Sequence, residues 1–220
     1  AYLRYRLSGE FIEDMSDASG TGWLDVGRRA WSKAALEATD LSLDHMPTVV
    51  EGTAQAGRLR AELAQRWGMA QPPVIAGSAG DNAAGAIALG AIKPGDAFVS
   101  LGTSGVLWAT TAGFPPNTTA AVHAFCHCVP DTWHQMGVIL SAASCLSWLS
   151  GVVGVPEGEL LKELGDTAER PTPMVFLPYL SGERTPHPDP LARGAFVGLT
   201  LRHGLPHLTP AVLEGVAFGL

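Results

Sequence analysis

The tetrapeptide Lys93-Pro94-Gly95-Asp96 divides this chain. Proline fixes φ and removes a backbone donor, and the glycine after it tolerates left-handed geometry, so neither a helix nor a sheet ladder runs through. Before the break, "VIAGSAGDNAAGAIALG" (74–90) passes from an apolar, strand-like run through glycines into a small-residue run that predicts a closely packed helix. After it, "AFVSLGTSGVLWATT" (97–111) sets two apolar runs around Gly102-Thr103-Ser104-Gly105, the pattern of a β-hairpin. "AVHAFCHCV" and "TWHQMGVI" continue the strand series, with a turn at Pro130-Asp131. Helices followed by consecutive strands predict an α/β fold whose mixed sheet has an antiparallel portion. The break is the expected domain boundary, giving segments 1–93 and 94–220.

Composition narrows the class. With 220 residues, 46% hydrophobic and 16% charged, the chain can bury a sizeable core. A net charge of −7 without any Lys/Arg-rich run argues against nucleic acid or an anionic membrane as partner. Met136–Val155 is 20 residues without a charge, the length of a bilayer span. Its four Ser and three Gly, and the absence of Lys/Arg flanks, read instead as a buried element. Of three cysteines, Cys126 and Cys128 sit too close to bridge, so a reducing, cytoplasmic setting is expected. "AYLRYRLSGE" has no signal-peptide pattern; it and the final "LEGVAFGL" both read as helix interiors, so the chain is expected to be a piece of a longer protein.

Local signals add detail. "SDASGTG" (16–22) is dense in turn residues and hydroxyls. Ser32 is placed to cap a short helix. Leu59, Leu63 and Trp67 recur at i, i+4, i+8, predicting an amphipathic helix. Pro72-Pro73 introduces "VIAG" as a short buried strand, and "AVLEGVAFGL" closes as a helix. Ser141, Ser144, Ser147 and Ser150 recur every three residues; a tightly packed helix side and a surface admitting a flat ligand both fit.

Two motifs bear on chemistry. A glycine turn with flanking hydroxyls, as at Gly102-Thr103-Ser104-Gly105, can gather backbone N–H groups around phosphate oxygens, although an ordinary hairpin turn has the same residues. Asp81 opens the Ala/Gly helix, where it reads either as an N-cap or as a carboxylate facing that turn to accept a hydroxyl proton. Asn82 would then bind a neighbouring hydroxyl. There is no G-x-x-x-x-G-K-[ST], G-x-G-x-x-G or G-x-S-x-G. His123, Cys126, His127 and Cys128 have no second ligand pair to complete a zinc site, so no metal is assigned to the chain's own residues. The Pro/Gly-rich 176–200 segment contains Glu183-Arg184, read as a pairing with internal neighbours.

Together "SDASGT", "AGDNAAGAIALGAIKPGDAFVSLGTSGV" and "FLPYLSGERTPHPDPLARGAFVGLT", with Gly194-x-Phe196-x-Gly198-Leu199 and His207-Leu208-x-Pro210 after them, resemble the FGGY carbohydrate kinases along the whole chain. "GDNAAGA", "FCH" and "LSAASCLSW" look most like its xylulokinase branch. The resemblance implies an actin-like (ribonuclease H-like) two-domain sugar kinase fold with ATP and Mg²⁺ in an interdomain cleft. Segment 1–93 would be the end of the sugar-side domain I and 94–220 the start of the ATP-side domain II. It implies Asp81 as general base and sugar contact, Asn82 as sugar contact, and Gly102, Thr103 and Ser104 as the phosphate turn. Ala143 and Ser147 would face the nucleotide from a helix. The implied reaction is phosphorylation of D-xylulose to D-xylulose 5-phosphate. The implied partners are a small sugar and ATP, with a homodimer left open. The family's N-terminal phosphate loop and later adenosine motif are not in this sequence, so the 220 residues alone are expected to be inactive. A kinase for another ketose, a polyol or an aldonate, a non-catalytic actin-like nucleotide switch, and a ligand-free structural fragment are the alternatives.

Overall fold

The break holds as a turn. Asp96 Oδ2 accepts the N–H groups of Ile92 (3.1 Å) and Lys93 (2.7 Å), and Gly95 takes φ 96°. The computed structural model describes residues 1–162, 164 and 172–220.

Before the turn come α1 (Tyr2–Ser8), β1 (Ile12–Asp14), α2 (Met15–Ala18), β2 (Leu24–Asp25), β3 (Ala30–Trp31) and α3 (Lys33–Glu37). They are followed by β4 (Thr48–Val50), β5 (Gln55–Arg58), α4 (Ala61–Arg66), β6 (Val74–Ala76) and α5 (Asp81–Ala88). After the turn come β7 (Ala97–Leu101), β8 (Gly105–Thr111), β9 (His123–Cys126), β10 (Trp133–Ile139), α6 (Ala143–Val153) and α7 (Glu157–Lys162). The chain finishes with β11 (Val175–Leu177), β12 (Ala195–Val197) and α8 (Leu205–Gly219). β1 and β4 pair in parallel, β5 and β6 antiparallel, and β7-β8-β10-β9 form a four-stranded sheet in that order. By compactness the chain falls into a first unit of 1–98, 109–116 and 124–135, and a second of 99–108, 117–123 and 136–220.

The predicted cap of α3 is present: Ser32 Oγ accepts the Ala35 N–H at 3.3 Å. The hydroxyl-rich 16–22 segment is not a plain turn. Asp14 caps α2 by accepting from the Ser16 and Asp17 N–H groups, and a 3-10 turn, Ser19–Thr21, continues it. Two expectations need correction. The Leu59–Trp67 stripe is not one helical face: α4 starts after Leu59, and Trp67 lies beyond its end, 52% exposed. β6 is a strand as predicted, but Val74 is 48% exposed, so the strand is not buried.

The charge-free 136–155 segment is half strand, half helix: β10 ends at Ile139 and α6 begins at Ala143. Among the described residues no helix is long and apolar enough to cross a membrane. In the second unit, Cys145 and Leu149 of α6 join Leu160, Met174, Phe176, Ala211 and Val212 in one core. Trp148 stacks on Phe176 at a centroid distance of 6.0 Å, and Phe196 packs against Phe176 at 4.7 Å with the rings tilted by 42°. Each fully buried side chain of the size of Phe176 or Leu149 contributes about 1.5–3 kcal/mol through removal from water. In the first unit a smaller cluster joins Ala18 of α2, Leu24 of β2 and Cys126 at the end of β9.

Candidate active site

Asp81 belongs to the first unit, and its carboxylate is reached through a tightly specified turn. β6 ends at Ala76, and at the next residue, Gly77, an added Cβ would collide with the Glu51 carbonyl oxygen, so only glycine lets the two backbones pass. Gly77 and Ser78 donate to Ala54 O (2.8 Å) and Gly52 O (2.9 Å). Arg4 donates to the Gly77 carbonyl from the other side. Ser78 takes a left-handed φ of 73°, and the Gly80 N–H donates to Ser16 Oγ at 2.9 Å before α5 starts.

The N-cap reading of Asp81 does not hold. The cap position is Gly80, which has no side chain to offer, and Asp81 is the first helical residue. Its Oδ1 accepts the backbone N–H of Asn82 at 2.7 Å and the Asn82 side-chain amide at 3.2 Å. Among the described residues Oδ2 has no hydrogen-bond partner, and both residues are exposed. The small-residue prediction for α5 holds: Ala83 and Ala86 are buried, and Cys128 Sγ donates to Ala83 O at 3.7 Å.

The remaining predicted residues belong to the second unit. β7 and β8 form the expected hairpin, with Gly102, Thr103 and Ser104 as its turn. The glycine argument needs correction, since neither Gly102 nor Gly105 has positive φ. Gly105 is required by packing: a Cβ would meet Ile139 Cγ1 at 2.8 Å and Leu220 Cδ2 at 3.0 Å. The turn also does not aim all its N–H groups outward, because Gly102 N–H donates to Ser104 O at 3.0 Å. What it presents is hydroxyl. Thr103 is exposed and its Oγ1 has no partner among the described residues, while Ser104 Oγ donates to Leu140 O at 3.2 Å.

The structure brings this turn against the start of α6. Gly102 O accepts the Ala143 N–H (3.0 Å), and Thr103 O accepts the Ala142 N–H (2.9 Å) and the Ser144 hydroxyl (2.8 Å). Orphan donors of the helix start are thereby satisfied by the turn's carbonyls. Ala143 and Ser147 follow one turn apart and are exposed. The serine periodicity dissolves into separate roles: Ser141 is buried ahead of the helix, Ser144 ties the turn, and Ser150 donates to Val155 O at 2.7 Å. Ser147 alone is exposed.

These residues fit the phosphates of a nucleotide through the exposed Thr103 hydroxyl, set beside the positive end of the α6 dipole. A magnesium site is another matter. Among the described residues the one carboxylate group close enough for a cation is Glu13, Asp14 and Asp17. Arg4 lies 3.6 Å from Glu13 and 3.7 Å from Asp14, and Asp14 caps α2, so that charge is already compensated.

The cysteine–histidine group is structural. Cys126 Sγ donates to Val26 O (3.6 Å), and burial pushes the Cys126 and Cys128 thiols up. His127 is fully buried, with Nε2 on Ala91 O (3.1 Å) and Nδ1 accepting the Val129 N–H (3.2 Å), a neutral tautomer. Burial lowers its pKa below 6.5, opposed by the Ala91 bond. The unfolded chain therefore binds a proton that the folded one refuses, so this stability is full above pH 6.5 and declines as pH falls through the window below it. His127→Gln flattens the fall in unfolding free energy between pH 7 and 5.5; a slope equal to wild type in denaturant titrations would remove His127 from this role. In the second unit, Glu183 is buried and accepts the Leu140 (3.1 Å) and Arg184 (2.7 Å) N–H groups, the internal pairing expected, whereas the Arg184 side chain is exposed and faces His123 at 3.3 Å.

Sequence reasoning missed Arg4, Asp14 and Ser16, which support the Asp81 turn from behind. The hydroxyl density of "SDASGT" was the available signal.

Comparison with known proteins identifies the family. Residues 1–88 match the N-terminal domain, and residues 97–220 the C-terminal domain, of the FGGY family of carbohydrate kinases. A xylulose kinase of Escherichia coli (strain K12) is 53% identical over 222 residues, covering 100% of this chain and 45% of the relative. A xylulose kinase of Klebsiella pneumoniae is 51% identical, again over 100% of this chain and 45% of the relative. The crystal structure of a "xyloylose kinase" from Brucella ovis superposes with TM-score 0.97 at 56% identity, over 99% of this chain and 45% of that one. This chain thus spans a little under half the length of these relatives, and its fold is that of the actin-like sugar kinases. On these matches, the chain belongs to the FGGY family of carbohydrate kinases.

Proposed function

We propose that the full-length protein phosphorylates D-xylulose to D-xylulose 5-phosphate at the expense of ATP, with Asp81 as general base. The observation that carries this is the exposed carboxylate at the first turn of α5, its Oδ1 held by Asn82 and its Oδ2 open. A sugar hydroxyl loses its proton to Asp81 as its oxygen attacks the γ-phosphorus; the bond to the β,γ-bridging oxygen breaks and ADP leaves. Asn82, anchored on Asp81, offers its amide oxygen to a neighbouring sugar hydroxyl. The Thr103 hydroxyl, with Gly102 and Ser104 shaping the turn around it, donates to phosphate oxygens, with Ala143 and Ser147 beside the nucleotide. Mg²⁺, when bound with the nucleotide, neutralises phosphate charge.

In this reading 1–93 is the end of the sugar-side domain and 94–220 the start of the ATP-side domain. The names of the two bacterial relatives support D-xylulose as the acceptor. Three free, buried cysteines are in keeping with a cytoplasmic setting. A homodimer is compatible with this proposal and not required by it.

The test is ADP release by the full-length protein with D-xylulose, other ketoses, polyols and aldonates. The expected result is the highest kcat/KM with D-xylulose, and no sugar-dependent ADP from the isolated 220 residues. ATP binding without stimulation by any sugar would favour a nucleotide switch instead.

A further inference from the structure

The turn that delivers Asp81 is clamped by residues far from it in sequence. Ser16 is buried, and its hydroxyl donates to Asp14 Oδ1. With its proton committed there, the oxygen has its lone pairs left for the Gly80 N–H, 2.9 Å away. Asp14 is 2% exposed and is itself fixed by the α2 N–H groups and by Arg4, 3.7 Å from Oδ2. Arg4, also buried, donates to Ile12 O and to Gly77 O. The 77–80 turn is thus held at its first carbonyl by Arg4 and at its last N–H by Ser16. Gly80 is the N-cap of α5 and has no side chain to fix the helix start, so Ser16 supplies from outside the restraint that a capping side chain normally gives.

We infer that Ser16 is a positioning residue for Asp81: through the Gly80 N–H it sets the direction in which the first residue of α5 presents its carboxylate, and Asp14 orients the Ser16 hydroxyl as an acceptor. This rests on Asp81 being the general base. Proton transfer is sensitive to placement, and a displacement of about 1 Å can cost about a hundredfold in rate. Ser16 is buried with its hydroxyl engaged by Asp14 and Gly80, so its removal is expected to act on turnover rather than on nucleotide affinity.

The experiment uses the full-length protein with four variants: Ser16→Ala, Ser16→Thr, Asp81→Asn and the Ser16→Ala/Asp81→Asn double. Ser16→Ala is expected to lower kcat about tenfold to a hundredfold, with KM for ATP unchanged and the protein folded at assay temperature. Ser16→Thr, which keeps the hydroxyl, is expected to recover most of the rate. The double variant is expected to be no slower than Asp81→Asn alone, because a carboxylate that is absent cannot be misaimed. Wild-type turnover in Ser16→Ala, equal losses in both Asp81 backgrounds, failure of Ser16→Thr to recover, or unfolding of Ser16→Ala at assay temperature would each overturn the inference. Failure of the underlying reading looks different: Asp81→Asn itself would then turn over at close to the wild-type rate.

Discussion

Asp81→Asn in the full-length protein lowers turnover by about 10²–10⁴-fold, the range general-base catalysis contributes, while KM for ATP changes little. The substitution suits the question because it preserves the local structure. An amide oxygen can still accept the Asn82 N–H now 2.7 Å from Oδ1, so α5 keeps its first turn. What is lost is a group able to take the hydroxyl proton, together with a negative charge at the helix start. Steady-state kinetics at saturating sugar and ATP measure it. Turnover within a few-fold of wild type would make Asp81 a structural residue of the α5 start.

Gly77→Ala is expected to be the most damaging small substitution in the first unit. The new methyl would lie 2.2 Å from the Glu51 carbonyl oxygen and 3.1 Å from the Gly52 Cα, both backbone atoms that cannot rotate away. Either β6 or the 51–52 turn must shift, at a cost of about 3 kcal/mol, the upper end for overpacking. Gly113→Ala is the matched control, since a Cβ there meets nothing within 4 Å, and its effect should stay within about 0.5 kcal/mol. Denaturant titration of both variants decides the matter. Equal midpoints would mean that the close approach at Gly77 is readily relieved.

The same pair of residues shows what the sequence could and could not convey. Strand, glycine turn and small-residue helix around Asp81 were legible because each is a local pattern with its own physics: an apolar run, then Gly77 and Gly80, then alanines. The reason for Gly77 was not legible, since it lies in a backbone that arrives from residues 51–52. Nor was the identity of the cap. An aspartate before an alanine run looks like an N-cap, and only the backbone shows Gly80 in that place and Asp81 inside the helix. The Gly102–Gly105 hairpin was predicted correctly from its flanking strands but for a partly wrong reason. Its glycines suggested positive φ, whereas Gly105 answers to Ile139 and Leu220. Arg4, Asp14 and Ser16 were invisible as a group because a hydrogen-bonded chain across 77 residues has no sequence period.

The three cysteines have a practical consequence. All are buried and unbridged; burial raises each thiol, and Cys145, near Glu183, is pushed up to about 11. At neutral pH the Cys145 thiolate is then present at roughly one part in ten thousand, and only the thiolate reacts with alkylating reagents. The folded chain is therefore chemically quiet toward maleimides. A single cysteine introduced at exposed Ser147 would label selectively, giving a fluorescent or spin reporter on α6 against a silent background.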